Sequence, residues 1–387
     1  MDFDNIKKPL GVNSLKWLPA EQNHNWICLS ISDLDFKTPS CVIDSVMQKL
    51  NDQYFGYTTL QNVDINQVLT KWFNTQHNWD LSTSSIQLVD RISQGVKYAI
   101  NTFTNEGDGI IVQDPIYSAF RIWITSLNRK IIDNRLIRNA QGEYSLDFEQ
   151  LEKQLSDNNT TMLLLCNPHN PTGRAWTQDE LRRIGEMCRR YNVTIVSDDA
   201  HCEVHRSNIA YTPIAKVCPN NKIITMISPA KAFNTASLSI AVMIFSNKEL
   251  MQQVSANPIT QPNRNSLSIA ALVGAYNNGE DYILQLNNYI DENVRYFKDW
   301  LTHNFPYIPF TTPDATYLAW IDISSTGKTA SEVQEICKEH GVFVVNGTRY
   351  GADGKNFIRI NLGTSRQILQ EGLERITKAI KTIGLPR

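Results

Sequence analysis

The chain has 387 residues, of which 42% are hydrophobic and 20% charged, and its formal net charge at pH 7 is -2. This length suffices for two domains with an interior that excludes water, while the balanced charge and the lack of a Lys/Arg block argue against nucleic acid as a partner. No stretch approaches about 18 uninterrupted apolar residues, and the first residues lack the apolar region of a signal peptide, so we predict neither membrane insertion nor secretion.

Short apolar runs alternate with amphipathic stretches over roughly the first three quarters of the chain. The runs are rich in Ile and Val and apolar on both faces, which is typical of parallel strands covered by helices. They occupy residues 109–115, 129–136, 161–168, 193–199, 222–229 and 238–246. Between two of them, Thr177 and Glu180 have the spacing of a helix capping box. We therefore predict an α/β fold whose large domain, residues 46–285, is doubly wound around a mainly parallel sheet.

The pattern changes after about residue 285. A long helical stretch at 282–305 is followed by a strand-like run at 316–324, a helix at 329–341, strand-like runs at 342–347 and 356–362, and a last helix. This order predicts a smaller α+β C-terminal domain, residues 286–387. We expect the N-terminal segment, residues 1–45, to pack on this small domain and at the entrance of the active site.

The seven cysteines are scattered from Cys28 to Cys337 without close spacing, and their number is odd. This usage indicates reduced, buried thiols rather than a disulfide framework. We therefore predict a cytoplasmic protein.

Polar residues of several kinds follow three of the predicted strands. They are Asn167 and Asn170, then Asp198, Asp199 and His201, then Ser228 and Lys231. Because ligands bind at the carboxyl ends of parallel strands, we expect these groups to converge. An amine, a carboxylate and an amide match the needs of pyridoxal phosphate: a Schiff-base amine, a partner for the protonated ring nitrogen, and a donor to the phenolic oxygen.

His201 and His205 are four residues apart, the spacing of a zinc-binding pair on a helix. The metalloprotease pattern requires Glu directly after the first histidine, whereas Cys202 stands there and the acid is displaced to Glu203. We therefore predict no metal site and interpret His201 as a supporting partner of Asp198 at the cofactor.

Several motifs resemble those of a known family. Residues 167–176 (NPHNPTGRAW), 197–201 (SDDAH) and 228–234 (SPAKAFN) are similar to segments of fold-type I pyridoxal-phosphate enzymes. More narrowly, residues 32–39 (SDLDFKTP), 55–57 (FGY), 166–176 and 357–366 (FIRINLGTSR) resemble the MalY/PatB-like cystathionine β-lyase branch of the class I/II aminotransferase superfamily. The match runs in order from about residue 30 to 370. His169 and the acidic segment with Asp33 and Asp35 are the features typical of the branch.

The resemblance implies a role for each candidate residue. Lys231 forms the Schiff base and acts as general base, Asp198 pairs with the ring nitrogen, and Asn170 donates to the phenolic oxygen. Tyr117 stacks on the ring. The implied phosphate ligands are Ser228, the first turn of a helix with Gly95, Val96 and the Lys97 backbone, and a catalytic Tyr57 from the neighbouring subunit of a homodimer. The helix is a suitable place because its first N–H groups are unpaired.

The implied partner is a small-molecule amino-acid substrate. Arg359 binds the α-carboxylate of the substrate through its planar guanidinium group. Asp35 and Asn170 contact the substrate as well. The foremost hypothesis is a carbon–sulfur β-lyase that converts cystathionine or another cysteine S-conjugate to a thiol, pyruvate and ammonia. An aminotransferase on the same scaffold and a regulatory cofactor-binding protein are the alternatives.

Overall fold

The computed structural model describes residues 1–60 and 63–383. The helices are α1 (Leu18–Gln22), α2 (Ser40–Asn51), α3 (Ile65–His77), α4 (Ile92–Phe103), α5 (Ser118–Thr125), α6 (Phe148–Leu155), α7 (Gln178–Arg190), α8 (Ile214–Val217), α9 (Lys248–Ala256), α10 (Ser266–Asn278), α11 (Glu280–Asn304), α12 (Ala330–Glu339) and α13 (Arg366–Thr382). The strands are β1 (Ile27–Cys28), β2 (Ser85–Val89), β3 (Gly109–Asp114), β4 (Lys130–Arg135), β5 (Ile137–Arg138), β6 (Tyr144–Ser145), β7 (Thr160–Cys166), β8 (Thr194–Asp198), β9 (Ile223–Ile227), β10 (Ala241–Phe245), β11 (Leu318–Asp322), β12 (Val342–Phe343), β13 (Val345–Asn346) and β14 (Phe357–Asn361).

The largest sheet in the described chain has the strand order β2-β10-β9-β8-β7-β3-β4. Neighbouring strands are parallel except that β10 is antiparallel to both β9 and β2. Side chains alternate between the two faces, so that Ile111 and Leu163 lie in one apolar cluster and Val112 and Leu164 in the other. Helices α6, α7 and α10 contribute to the first cluster, and α4, α5 and α9 to the second. The sheet is thus covered on both faces, as predicted.

Helix α7 begins where the sequence indicates. Thr177 accepts a hydrogen bond from the backbone N–H of Glu180, and the Glu180 side chain accepts one from the backbone N–H of Thr177. This reciprocal pair satisfies two N–H groups that the helix leaves unpaired. Its apolar side faces the sheet through Leu181 and Ile184, which are fully buried.

A second sheet, β11-β14-β13, is antiparallel, and β1 pairs separately with β12. The run at 342–347, predicted as one strand, is therefore two short strands: Val342 pairs with Ile27, whereas Val345 pairs with Arg359. The predicted domain boundaries after residues 45 and 285 fall inside α2 and α11, and the division of the chain into domains stays a prediction. No helix among the described residues is long and apolar enough to cross a membrane.

Candidate active site

Three adjacent parallel strands bring the predicted groups to one edge of the sheet. Strand β8 ends at Asp198, β9 is followed by Ser228 and Lys231, and β7 is followed by Asn170. The charges of Asp198 and Lys231 affect each other's pKa, so these side chains are neighbours. The topology of the sheet therefore assembles the amine, the carboxylate and the amide from distant parts of the sequence.

The turn after β7 is shaped by Gly173 and His169. Gly173 has a positive φ of 76°, and a Cβ there would lie 2.3 Å from Pro313 Cβ, so only glycine fits. His169 is fully buried and its ring nitrogens lie 2.9 Å from Thr172 Oγ1 and 3.3 Å from the Gln113 carbonyl oxygen. Burial lowers the pKa of His169 to about 4, so it is a neutral group that holds the turn.

Lys231 lies at the centre of the site, where its Nζ donates a hydrogen bond to the carbonyl oxygen of Ser32 at 2.6 Å. Burial lowers the pKa of Lys231 most, and the nearby Arg359 lowers it further, while Asp33 and Asp198 oppose this shift. A lowered pKa increases the fraction of neutral amine, which is the nucleophilic and basic form.

Asp198 is 8% exposed, and its carboxylate accepts a hydrogen bond from the backbone N–H of Ala200 at 3.2 Å. Burial raises its pKa from 3.8 to about 6, although the Ala200 N–H and Lys231 act in the opposite direction. A buried carboxylate with so few donors is stabilised by a further cationic N–H partner, which is what the ring nitrogen of pyridoxal phosphate provides.

His201 forms no hydrogen bond to Asp198 within the described residues, and its predicted role as a supporting partner of Asp198 stays a prediction. Its Nδ1 forms no hydrogen bond within the described chain, and its ring packs edge-to-face on Tyr317 at 5.8 Å. Burial lowers the pKa of His201 to about 3, and the charges that add to this effect are those of Lys231 and Arg359. The imidazole is therefore neutral and lies on the Lys231 side of the site. Residues 201–203 form turns rather than a helix, so His201 and His205 do not share a helix face.

Arg359 and Asn170, both predicted to contact the substrate, lie next to each other. Arg359, 4% exposed, donates from Nη1 to Asn170 Oδ1 and from Nη2 to the Ser30 carbonyl oxygen, both at 3.1 Å. Its guanidinium lies over the Tyr350 ring, 5.1 Å from the centroid, and its Nε has no partner in the described part of the chain. A buried cation held by neutral acceptors is suited to an anionic ligand group.

The predicted phosphate ligands lie close to the edge of β9. Ser228 Oγ donates to the Ile240 carbonyl oxygen at 2.7 Å. Helix α4 begins at Ile92, three residues before Gly95, and the Gly95 N–H donates to the Arg91 carbonyl oxygen at 3.2 Å. A Cβ at position 95 would lie 3.0 Å from Met226 Sδ, so glycine lets α4 pack directly on the sheet. The phosphate contacts of Gly95, Val96 and Lys97 stay a prediction.

The two predicted tyrosines differ in position. Tyr117 precedes α5, packs edge-to-face on Trp123 at 6.2 Å, and lies near Asp198, whose charge adds to burial in raising the pKa of Tyr117. Tyr57 lies after α2 with a fully exposed side chain. A single chain therefore does not bring Tyr57 to Lys231, and a role in catalysis requires another subunit.

Asp35, predicted to contact the substrate, is instead bound within the protein. Its Oδ1 lies 3.0 Å from Lys16 Nζ and accepts a hydrogen bond from Trp17 Nε1 at 2.7 Å. Of the two acids in this segment, Asp33 is the one whose charge interacts with Lys231. We call residues 30–36 the entrance loop. Asp35 thus holds the loop against Lys16 and Trp17, and its predicted substrate contact stays a prediction.

The sequence reasoning missed Asn361, which holds the inner side of the entrance loop. Its Nδ2 donates to the carbonyl oxygens of Ile31 at 2.6 Å and Asp33 at 2.7 Å. The signal was available, because residues two apart on a strand share a face and Asn361 follows Arg359 by two. Lys16 and Tyr317 were missed because they reach the site from distant segments.

Comparisons with known proteins agree with this geometry. Residues 24–376 match the model of the family "Aminotransferase class I and II". Cystathionine beta-lyase PatB of Bacillus subtilis (strain 168) is 32% identical over 98% of this chain and 100% of its own, and protein MalY of Escherichia coli (strain K12) is 28% identical over 92% and 91%.

Two solved structures superpose on nearly the whole chain. The PLP-bound C-S lyase from Staphylococcus hominis has a TM-score of 0.92 at 28% identity and covers 98% of this chain and 99% of its own. Cystalysin from Treponema denticola, which contains pyridoxal 5'-phosphate, has the same TM-score at 29% identity and the same coverage. These findings confirm the predicted fold class and resemblance. The chain belongs to the aminotransferase class I and II family.

Proposed function

We propose that this protein is a pyridoxal-phosphate-dependent carbon–sulfur β-lyase that cleaves cystathionine or another cysteine S-conjugate to a thiol, pyruvate and ammonia. The observation that carries the proposal is the convergence of Lys231, Asp198 and the Arg359–Asn170 pair at one edge of the sheet. Relatives that are named cystathionine beta-lyase or C-S lyase match almost the whole chain, which supports the same reaction here.

The side chains around Lys231 fit the cofactor. Asp198 would hold the ring nitrogen, since it is a buried carboxylate that lacks a side-chain donor among its described contacts. Asn170 would contact the phenolic oxygen, Tyr117 the ring face, and Ser228 the phosphate. When bound, the cofactor withdraws electrons from Cα of the amino acid and so acidifies the α-proton.

The chain's own residues then direct the reaction. Arg359 fixes the α-carboxylate through its planar donors, which sets the orientation of the Cα–H bond. The Lys231 amine, whose pKa burial lowers, removes the α-proton as general base. Because a thiol has a pKa of about 8.5, the sulfur departs from Cβ as a thiolate without a strong acid. Water then releases pyruvate and ammonia.

An aminotransferase is the second candidate, because the family model and a solved relative from Clostridium difficile 630 carry that name. The same Lys231 amine could return the proton at another position and leave the sulfur attached. The deciding experiment incubates purified protein with L-cystathionine in the absence of a keto acid. Pyruvate and homocysteine in equal amounts support the lyase. A sulfur-containing keto acid formed together with pyridoxamine phosphate would overturn it.

We also propose a homodimer with shared active sites. Helix α2 packs against α10, where Ser45 Oγ donates to the Ala270 carbonyl oxygen at 2.7 Å. Its opposite face exposes Ile43, Met47 and Leu50, at positions that share one side of a helix. This apolar stripe leads into the loop of the exposed Tyr57. A second copy of the chain would cover it and carry Tyr57 to the partner's phosphate site.

A cytoplasmic location remains our prediction. The structure leaves all seven cysteines unpaired, and thiols stay reduced in that compartment. Localisation of a tagged copy in the source cell tests it.

A further inference from the structure

The entrance loop contacts both cations of the site, first Arg359 and then Lys231 along the chain. Arg359 Nη2 donates to the Ser30 carbonyl oxygen at 3.1 Å, and Lys231 Nζ donates to the Ser32 carbonyl oxygen at 2.6 Å. Asp33 is the next residue. The loop thus places the Asp33 carboxylate at the Lys231 end of the site. The Arg359 guanidinium, which would bind the substrate carboxylate, lies at the other end.

The position of Asp33 is fixed through its backbone. Its carbonyl oxygen accepts hydrogen bonds from Asn361 Nδ2 at 2.7 Å and from Lys16 Nζ at 3.3 Å. The Lys16 charge is itself paired with Asp35 at 3.0 Å. Lys231 therefore remains as the main countercharge of the Asp33 carboxyl, and among the surrounding charges it lowers the pKa of that group most. Burial acts more strongly in the opposite direction and raises this pKa.

Two buried hydroxyl groups lie beside Asp33. Tyr317 is fully buried and Ser32 is 9% exposed, and neither Ser32 Oγ nor Tyr317 Oη has a hydrogen-bond partner outside this pair within the described residues. Burial and the Asp33 charge raise the pKa of Tyr317, whereas the Ser32 hydroxyl lowers it as a hydrogen-bonding neighbour, so the three groups lie together. Because each hydroxyl can form more hydrogen bonds than the other one supplies, a polar ligand at this place would be a further partner.

We propose that Asp33, with the hydroxyls of Ser32 and Tyr317, binds the α-ammonium group of the amino-acid substrate while Arg359 binds its α-carboxylate. An ammonium group has three N–H donors, and these side chains present three acceptors. Arg359 and Lys231 are neighbours, so the two groups bound beside them must be close together in the ligand. The ammonium and carboxylate groups of an α-amino acid meet this condition because both are attached to the same carbon. This inference rests on the proposed function, because it concerns how the α-ammonium group of the substrate is bound before the substrate reacts with the cofactor at Lys231.

The arrangement explains how the site distinguishes amino acids from other carboxylic acids. Arg359 alone would bind any small carboxylate. Asp33 is half-buried beside the site, so a ligand without an ammonium group leaves its carboxylate without that counter-ion. We therefore expect the preference for an amine to reside in Asp33 and the general affinity for carboxylates in Arg359.

The test measures binding without reaction. Borohydride reduction fixes the cofactor on Lys231 and prevents exchange, so calorimetry then reports the non-covalent complex. We expect the reduced wild type to bind S-methyl-L-cysteine at least about tenfold more tightly than 3-(methylthio)propionate, which lacks the amine. Asp33→Asn should abolish most of this preference and leave the affinity for 3-(methylthio)propionate nearly unchanged.

Two further variants separate binding from a structural effect. Arg359→Gln should weaken both ligands alike, and Tyr317→Phe, which keeps the ring on His201, should reduce the preference by a smaller factor than Asp33→Asn. An Asp33→Asn protein that retains the full preference, or a wild type without any, would overturn the inference alone. Failure of borohydride to fix cofactor on Lys231 would overturn the proposed function and this inference together.

Discussion

Lys231 Nζ donates a hydrogen bond to the carbonyl oxygen of Ser32 at 2.6 Å, which joins the lysine after β9 to the entrance loop. The loop is held on the same side by Arg359 and Asn361. The amine therefore has a fixed position among groups that polarise it, rather than the mobility of a surface lysine. This placement makes Lys231 the side chain on which the proposed chemistry depends.

Replacing Lys231 by Ala should abolish covalent cofactor attachment and nearly all turnover, because no other amine occupies this position in the described site. The measurement is peptide mapping by mass spectrometry after borohydride reduction. Lys222→Ala is a matched control, since that lysine precedes β9 and binds Asn192 Oδ1 at 2.8 Å away from the site. Cofactor fixed on a different lysine in the wild type would show that the assignment is wrong.

Asp198 makes the stability of the cofactor-free protein depend on pH. Its pKa is raised from 3.8 to about 6, so between these values the folded state binds a proton that the unfolded state has lost. Stability then falls as pH rises through this window, in total by roughly 3 kcal/mol from this group. Asp198→Asn removes the effect. Relative to wild type, we expect its free energy of unfolding to be higher at pH 7 than at pH 4 by roughly 2–3 kcal/mol.

Urea unfolding of both cofactor-free proteins at the two pH values provides the measurement. The cofactor-loaded proteins should show the reverse order at pH 7, because Asn cannot pair as a charge with the ring nitrogen. An equal difference between variant and wild type at both pH values would mean that Asp198 is not desolvated as described.

Sequence reasoning correctly predicted strands where a short apolar run is buried on both faces of the sheet, because such a run can be recognised from its hydrophobic residues alone. Strand direction was harder, because a run such as β10 that is apolar on both faces looks the same in either orientation. The segment between Ile227 and Ala241 contains a 3-10 turn at Ala236–Leu238 instead of a crossover helix. Parallel neighbours need such a crossover, so the absence of a helical pattern there could have indicated the antiparallel pairing.

In the site, sequence reasoning identified the residues that follow strands, because topology determines where strand ends lie. It assigned a substrate contact to Asp35 without the ion pair that Asp35 forms, since an irregular loop has no periodicity that indicates which acid faces inward. The outcome depends on Lys16, whose contact with Asp35 joins two segments that no local pattern connects. Similarly, His201 lies in a turn at 201–203, which the helical spacing of HCEVH did not indicate.

Breaking the buried Lys16–Asp35 ion pair by removing one partner should be strongly destabilising. Both side chains are 1% exposed, so removal of one leaves a buried charge without its partner. We expect Lys16→Met to lower the free energy of unfolding by about 3–5 kcal/mol, and the double variant Lys16→Met/Asp35→Leu to recover much of that loss. Urea unfolding in a double-mutant cycle measures the coupling. Strictly additive effects would show that the pair is not a buried ion pair.

The homodimer proposal predicts complementation between two defective chains. Tyr57→Phe should strongly reduce activity by removing the hydroxyl that reaches the partner's phosphate, and Lys231→Ala should abolish it. In a hybrid dimer, the intact Lys231 of one chain meets the intact Tyr57 of the other at one of the two sites. Random exchange of equal amounts forms hybrids as half of the dimers and should therefore restore roughly a quarter of the wild-type sites.

The exposed stripe on α2 supplies the control for this experiment. Met47 is 50% exposed in the single chain, and Met47→Asp would place a charge in the middle of the proposed interface. Introduced into both chains, it should give monomers by light scattering and prevent recovery of activity. Because Met47 lies outside the Lys231 site, its effect has to act through assembly. Dimers that exchange subunits without any recovery would show that Tyr57 does not serve the partner's site.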